Sequence, residues 1–166
     1  ATGKTTVGRA LAERLGYRFV DTDAVITERH GPIPRIFADQ GEAAFRRIER
    51  EVAAELAGQP GLVVATGGRL MLDAANVATL GAAPAVVVCL QAGAEAIVAR
   101  LRADATGVED RPMLAGDDPE RRVRDLLAER AGGYGRFPQI PTEGRAPGEI
   151  ADAIAALVSV DASSAD

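Results

Sequence analysis

The chain has 166 residues, of which 47% are hydrophobic and 4% aromatic, and it contains no Trp. This composition predicts one domain of ordinary size with a core of Ala, Val and Leu. The formal net charge of −5 argues against a general nucleic-acid binder or a membrane-surface protein, because both are usually basic.

The first half of the chain alternates helical and strand-like patterns. The segment KTTVGRALAERLG places Val7, Ala10 and Leu11 at helical spacing and ends at Gly16. The order that follows is a strand in YRFVDT, a helix in DAVITERHG, and two helical pieces in IPRIFADQG and EAAFRRIEREVAAELAG.

The second half continues the alternation. Strands are predicted in LVVAT and AVVVCL, each followed by a helix, in MLDAANVATLG and AGAEAIVARLRAD. A loop with the character of a lid covers about 105–118, then come a helix in PERRVRDLLAERAGGY, a weak edge strand in PQIPTE and a helix in PGEIADAIAALV. Residues 159–166 are expected to form a disordered tail. Alternating strands and helices predict an α/β fold with ligands at the carboxyl ends of parallel strands.

The single cysteine, Cys89, lies in the apolar run AVVVCL and is interpreted as a small buried hydrophobe. A chain with one cysteine forms no internal disulfide, which fits a reducing cytoplasm. No apolar stretch approaches about 18 residues, so neither a transmembrane helix nor a signal peptide is predicted.

The opening ATGKTT matches the second half of the phosphate-loop pattern G-x-x-x-x-G-K-[ST]. In that pattern Gly3 lets the backbone approach a phosphate, Lys4 reaches the β- and γ-phosphates, and Thr5 holds Mg²⁺. The alternative is a helix cap without a ligand. The first glycine of the pattern falls three residues before Ala1, after a strand, so we expect the printed sequence to lack the first, central strand of the sheet.

Two aspartates follow the first predicted strand. Asp21 and Asp23 are two residues apart, a spacing that puts them on one face of a strand. One carboxylate then orders Mg²⁺ and the other accepts a proton from a hydroxyl. Alternatively, Asp23 only caps the helix that follows.

The helical segment FRRIE places Arg46 and Glu49 at i and i+3. Either the two side chains form an exposed surface ion pair, or Glu49 orients Arg46 to bind a substrate carboxylate with two hydrogen bonds.

Taken together, GKTTVGRALAERLG, DTD, IFADQGEAAFRRIE, ATGG, RPML and ERAGGY resemble shikimate kinases in order and spacing. The resemblance implies a domain over 1–158 with the three-layer P-loop kinase fold and a mostly parallel five-stranded sheet. It also implies a lid at about 105–118 and transfer of phosphate from ATP, with Mg²⁺, to the 3-hydroxyl of shikimate.

The same resemblance implies roles for individual residues. Asp23 binds the shikimate hydroxyls and assists deprotonation, and Asp21 belongs to the Mg²⁺ shell. Arg46 and Arg130 bind the shikimate carboxylate, and Arg111 in the lid contacts the transferring phosphate. The nucleotide contacts it implies in the phosphate loop are Ala1, Thr2, Gly3, Lys4, Thr5 and Thr6.

Other implied contacts lie on the two sides of the site. Phe37 and Phe45 wall the acceptor pocket, and Arg100 and Arg145 lie on the adenine side. The backbone amides of two loop glycines, Gly67 and Gly68, bind the acceptor ring.

The glycine loop is also where the resemblance is incomplete. The family carries a third glycine where this chain has Arg69. If that position needs a positive φ, a side chain there costs roughly 1 kcal/mol. The guanidinium either points to solvent, clashes with the acceptor or provides another anion anchor.

We expect a cytoplasmic monomer with shikimate as its small-molecule substrate and neither nucleic acid nor a membrane as a partner. Two alternatives stay open at this point. One is a related P-loop kinase with a different acceptor, such as gluconate or a nucleoside, and the other is a catalytically silent nucleotide-binding module.

Overall fold

The computed structural model describes residues 1–82, 85–103 and 118–163. Its helices are α1 Lys4–Leu15, α2 Thr22–His30, α3 Ile33–Leu56, α4 Ala74–Gly81, α5 Ala94–Ala103, α6 Pro119–Tyr134 and α7 Pro147–Ser163. Its strands are β1 Arg18–Asp21, β2 Leu62–Ala65, β3 Cys89–Gln91 and β4 Gln139–Pro141, and a 3₁₀ turn spans Leu70–Leu72. No helix in this described part is long and apolar enough to cross a membrane.

The strands pair in parallel, as the alternating pattern predicts. β1 pairs with β2, and β3 pairs with β4. In the described residues these pairs form two separate two-stranded sheets, and the five-stranded arrangement with a further central strand stays a prediction. β2 and β3 share no ladder among these strands.

A shared core joins the two sheets. The apolar stripe of α1, with Val7 and Leu11, packs against Ile150 and Ile154 of α7. Residues from three strands pack on this same cluster, namely Val63, Leu90 and Ile140. Burial of this apolar surface therefore holds both strand pairs under α1 and α7.

Helix α3 bends at the glycine that separates the two predicted helical pieces. Gly41 has φ 80° and ψ 172°, a left-handed, non-helical conformation that favours glycine. Beyond the bend, Phe45, Ile48 and Val52 pack on Ile26 of α2. Ile36, before the bend, belongs to the same buried cluster, so both parts of α3 pack on α2.

Several boundaries differ from the predicted ones. α4 begins at Ala74, because the Asp73 side chain caps it by accepting from the N–H of Ala75 at 2.9 Å. β3 is shorter than the run AVVVCL, since β4 offers only three ladder partners. Residues 159–163, expected in the tail, continue α7. The predicted lid, including Arg111, lies outside the described residues except for Asp118, which caps α6.

Candidate active site

The phosphate-loop segment folds as a helix start with open amides. Gly3 has φ 93° and ψ 14°, and no side chain caps α1. A residue with a Cβ in this left-handed conformation would cost roughly 1–2 kcal/mol. Because the first N–H groups of a helix lack intrahelical partners and carry the positive end of its dipole, this end of α1 is suited to bind phosphate.

Asp21 links the phosphate-loop segment to α2. Its Oδ2 accepts from the Thr5 hydroxyl at 2.9 Å, and its Oδ1 accepts from the N–H of Asp23 at 3.1 Å and of Ala24 at 3.4 Å. The described residues contain no group of three His, Cys, Asp or Glu side chains suited to a metal. One carboxylate and one hydroxyl nevertheless fit Mg²⁺, which usually keeps several waters and takes its other ligands from substrate phosphates.

Both sequence-based interpretations of the aspartate spacing were wrong in detail. β1 ends at Asp21, and Asp23 lies in the first turn of α2 rather than on the same strand face. The cap of α2 is Asp21, not Asp23. The physical reason is that the last extended residue before a helix is where a carboxylate best reaches the unpaired amides.

Asp23 faces the glycine loop after β2. A Cβ built on Gly67 would lie 2.5 Å from Asp23 Oδ1 and 3.3 Å from Glu49 Oε1, so only a glycine fits between these carboxylates. Burial raises the pKa of Asp23 above its usual value, the neighbouring Asp21 carboxylate adds to the rise, and the Lys4 ammonium opposes it. Asp23 therefore lies within the electrostatic reach of both Lys4 and Asp21.

The Gly67 amide differs from its predicted use as an acceptor contact. Its N–H donates to the hydroxyl of Thr22 at 2.9 Å, and Thr22 is buried. The described contribution of Gly67 is thus close backbone approach to Asp23. The contact with Thr22 was not predicted from the sequence, although the position of Thr22 between two candidate site aspartates could have indicated it.

We predict that Gly67→Ala lowers kcat by about tenfold or more, because the added methyl group displaces the Asp23 carboxylate from its position against the loop. The KM for ATP should stay within about twofold. Steady-state kinetics with each substrate varied checks this. Gly81→Ala is the matched control, since a Cβ there meets nothing within 4 Å. Equal kinetics for the two variants would contradict the prediction.

Arg46 lies between two glutamates of α3. Its Nη1 donates to Glu49 Oε2 at 2.5 Å, while its Nε and Nη2 donate to Glu42 Oε1 at 3.2 and 2.9 Å. Only 2% of Glu49 is exposed, so its pair with Arg46 is not a surface ion pair. Burial raises the pKa of Glu49, and Arg46 opposes that rise. Glu42 was missed, although its i, i+4 spacing to Arg46 was a usable signal.

Two phenylalanines of α3, which were predicted to wall the acceptor pocket, form an aromatic surface beside Arg46. The rings of Phe37 and Phe45 have centroids 4.7 Å apart at an angle of 36°. The Arg46 Cζ lies 5.2 Å from the Phe45 centroid. Phe45 is buried and Phe37 is partly exposed, which gives the wall an open face.

Arg130 and Tyr134 of α6 reach the other side of the glycine loop. Arg130 Nη1 donates to the carbonyl oxygen of Gly68 at 3.1 Å, and the Tyr134 hydroxyl donates to the same oxygen at 2.8 Å. Arg130 Nε is buried and has no hydrogen-bond partner among the described residues. Because a buried unpaired cationic donor is costly, this arrangement favours an anionic ligand at Arg130.

Arg69 takes a different conformation from the one that the missing third glycine suggested. Its φ of −130° carries none of the strain expected for a positive φ, so that expected penalty is absent. Its Nη1 lies 3.2 Å from Glu129 Oε1 on α6, and 45% of its side chain is exposed. Its charge also contributes to lowering the pKa of Glu42, behind the larger effect of Arg46, so Arg69 lies within electrostatic reach of Glu42.

The two arginines expected near adenine lie at the carboxyl end of β4. Arg100 donates from Nη1 to the Thr142 hydroxyl and from Nη2 to the Thr142 carbonyl, both at 3.0 Å, and from Nη1 to the Ala1 carbonyl at 3.3 Å. Arg145 donates to the carbonyl oxygens of Pro141 and Glu149, each at 3.3 Å. The structure thus brings Arg100 next to residue 1 of the phosphate-loop segment. Thr142, which is buried, was not predicted.

Comparisons with known proteins agree with this arrangement. The family model described as shikimate kinase matches residues 1–158. The shikimate kinase of Synechococcus sp. (strain RCC307) is 43% identical over 155 residues, which cover 92% of this chain and 77% of the relative. That of Halorhodospira halophila is 49% identical over 129 residues, or 77% of this chain and 70% of the relative.

Solved structures show the same similarity. Shikimate kinase from Acinetobacter baumannii in complex with shikimate gives a TM-score of 0.84 at 37% identity, covering 96% of this chain and 88% of that one. Shikimate kinase from Bacteroides thetaiotaomicron gives a TM-score of 0.82 at 27% identity, covering 95% and 93%. With the family model matched over residues 1–158 and relatives 43% and 49% identical, the chain belongs to the shikimate kinase family.

Proposed function

We propose that this protein transfers the γ-phosphate of ATP to the 3-hydroxyl of shikimate. The observation that carries the proposal is the position of Asp23. On one side its carboxylate neighbours Asp21 and Lys4, and on the other it meets Gly67 and the buried end of the Arg46–Glu49 pair. A nucleotide site and a carboxylate-binding site therefore meet at one side chain that can accept a proton.

At the nucleotide end, the open amides of α1 and the Lys4 ammonium bind phosphate oxygens. Residues 1–6 form this contact, and Arg100 and Arg145 lie on the adenine side. When bound, ATP with Mg²⁺ supplies the phosphoryl group and neutralises part of its charge. Thr5 and Asp21 are the residues suited to hold the metal, which is supported by their 2.9 Å contact.

At the acceptor end, Arg46 and Arg130 bind the shikimate carboxylate from two helices. Glu49 holds the Arg46 guanidinium in place from its buried side, and the unpaired Nε of Arg130 supplies a donor. Phe37 and Phe45 bound the ring. These contacts fix the acceptor so that one hydroxyl faces Asp23, and positioning of this kind supplies much of the catalysis.

Different residues accept the proton and stabilise the developing negative charge. Asp23 accepts the proton of the attacking hydroxyl as general base. Lys4 stabilises the negative charge on the transferring group, together with Arg111 from the lid segment outside the described residues. Gly68, beside Arg130, completes the acceptor side of the loop.

A coupled assay of ADP release against a panel of acceptors tests the proposal. We expect shikimate to stimulate ADP release at least tenfold more, in kcat/KM, than gluconate or a nucleoside. Shikimate offers a carboxylate to the two arginines and a ring to the phenylalanines, whereas gluconate lacks the ring and a nucleoside lacks the carboxylate. Preferred turnover of another acceptor would indicate a related kinase. ATP binding without acceptor-dependent ADP release would indicate a silent module.

We also propose that the protein acts as a cytoplasmic monomer without nucleic-acid or membrane partners. The net charge of −5 supports the second part. Size-exclusion chromatography with light scattering tests the first.

A further inference from the structure

We propose that Tyr134 is a positioning residue for Arg130: it holds the Gly68 carbonyl so that Arg130 can turn to the carboxylate of the acceptor. This inference rests on the proposed function, because it names what prepares one of the two arginines of that site. It concerns a side chain to which the mechanism above gives no role.

Its basis is an acceptor oxygen with two donors. Tyr134 and Arg130 are one helical turn apart on α6, and both donate to the Gly68 carbonyl, at 2.8 and 3.1 Å. The Tyr134 bond is the shorter one. A carbonyl with two donors keeps one hydrogen bond when the other donor leaves. Arg130 can therefore move without leaving the Gly68 carbonyl unpaired.

The Arg130 guanidinium has one unpaired hydrogen-bond donor among the described contacts. Its Nε is buried and has no partner among the described residues, so its hydrogen-bonding capacity is incomplete without a further acceptor. A carboxylate, which accepts two parallel bonds from a guanidinium, supplies that acceptor. When Arg130 turns toward the carboxylate it loses its hydrogen bond to Gly68. The Gly68 carbonyl then keeps the hydrogen bond from the Tyr134 hydroxyl.

Packing fixes the Tyr134 hydroxyl at this place. Tyr134 packs against the buried cluster of Ala53, Leu70 and Met71, which includes two residues of the 3₁₀ turn that follows the glycine loop. At Gly133 a Cβ would collide with the Leu72 side chain, so α6 approaches the 3₁₀ turn closely there. A tyrosine hydroxyl is protonated at neutral pH, and burial raises the pKa of Tyr134 further, so it stays able to donate.

The test is shikimate binding by titration calorimetry, without nucleotide, to four forms of the purified protein: wild type, Tyr134→Phe, Arg130→Lys and the double variant. We expect Tyr134→Phe to raise the dissociation constant about 3–10-fold, the equivalent of one hydrogen bond. In the Arg130→Lys background the same change should raise the dissociation constant less than twofold. A lysine has no planar guanidinium for Tyr134 to help position. The ATP dissociation constant should not change, and Tyr17→Phe, an exposed tyrosine, is the matched control.

Three outcomes overturn the proposal. An unchanged dissociation constant would leave Tyr134 without this role, and an equal effect in both backgrounds would mean that it acts independently of Arg130. Loss of the native circular dichroism spectrum in Tyr134→Phe would make its role purely structural. Failure of the wild type to bind shikimate would instead remove the proposed function itself, so the two failures are distinguishable.

Discussion

Asp23→Asn should lower kcat by about 10²-fold or more and raise thermal stability at neutral pH. The first effect follows because an amide cannot accept the proton of the attacking hydroxyl. The second follows because the fold holds an ionised carboxylate in a partly buried place beside Asp21, which raises its pKa. An uncharged isostere relieves that cost.

The pH dependence of both effects has a defined sign. The usual pKa of the group is 3.8, and the folded protein raises it. Its stabilising contribution is therefore fully present below 3.8 and is lost as pH rises through the raised value. Wild-type kcat should fall on acidification through that same raised pKa, whereas the stability gain of Asp23→Asn should shrink there.

Kinetic pH profiles and thermal unfolding at pH 4 and pH 7 check this pair of effects. Asp39→Asn is a matched control, since Asp39 lies in an exposed ion pair with Arg35. Near-normal turnover of Asp23→Asn would remove the general-base role. A lower melting temperature at pH 7 would contradict the assigned cause of the pKa shift.

Arg46→Ala should raise the KM for shikimate by about 30-fold or more and leave the KM for ATP nearly unchanged. Truncating one partner of a buried charged contact costs about 2–5 kcal/mol, which corresponds to that factor at the low end. Steady-state kinetics with both substrates measures it. Comparable changes in the two constants would count against carboxylate binding by Arg46. Arg47→Ala, next along α3 and 66% exposed in its side chain, is the control.

The same substitution also affects folding, and a second variant separates the two effects. Without Arg46, Glu49 is a buried carboxylate without its cation, which lowers the free energy of unfolding by up to about 3–5 kcal/mol. Adding Glu49→Gln should recover much of that stability but none of the shikimate affinity. Recovery of affinity together with stability would mean that Arg46 acts through the fold alone.

Local patterns predicted much of the fold. The i, i+3, i+4 stripe of α1, the stop at Gly16 and the break at Gly41 are all present, because each depends on residues close in sequence. Strand lengths were not predictable in this way. They depend on which distant segments provide ladder partners, as the short β3 shows.

The candidate site shows the same division. Arg46 and Glu49 lie within one helical turn, so their contact was predictable from spacing. The contacts Thr22–Gly67 and Tyr134–Gly68 join residues 45 and 66 positions apart, and no local pattern reports them. The roles expected for Arg130 and Arg111 came from family resemblance, since an isolated arginine carries no signal of its own.

The two oxygens of the Asp21 carboxylate are used separately. One caps α2, and the other meets the Thr5 hydroxyl. If Asp21 holds Mg²⁺ as proposed, a cation in place of the Thr5 contact would leave the capping oxygen on α2. The first turn of α2, which carries Asp23, would then keep its cap whether or not the cation is bound.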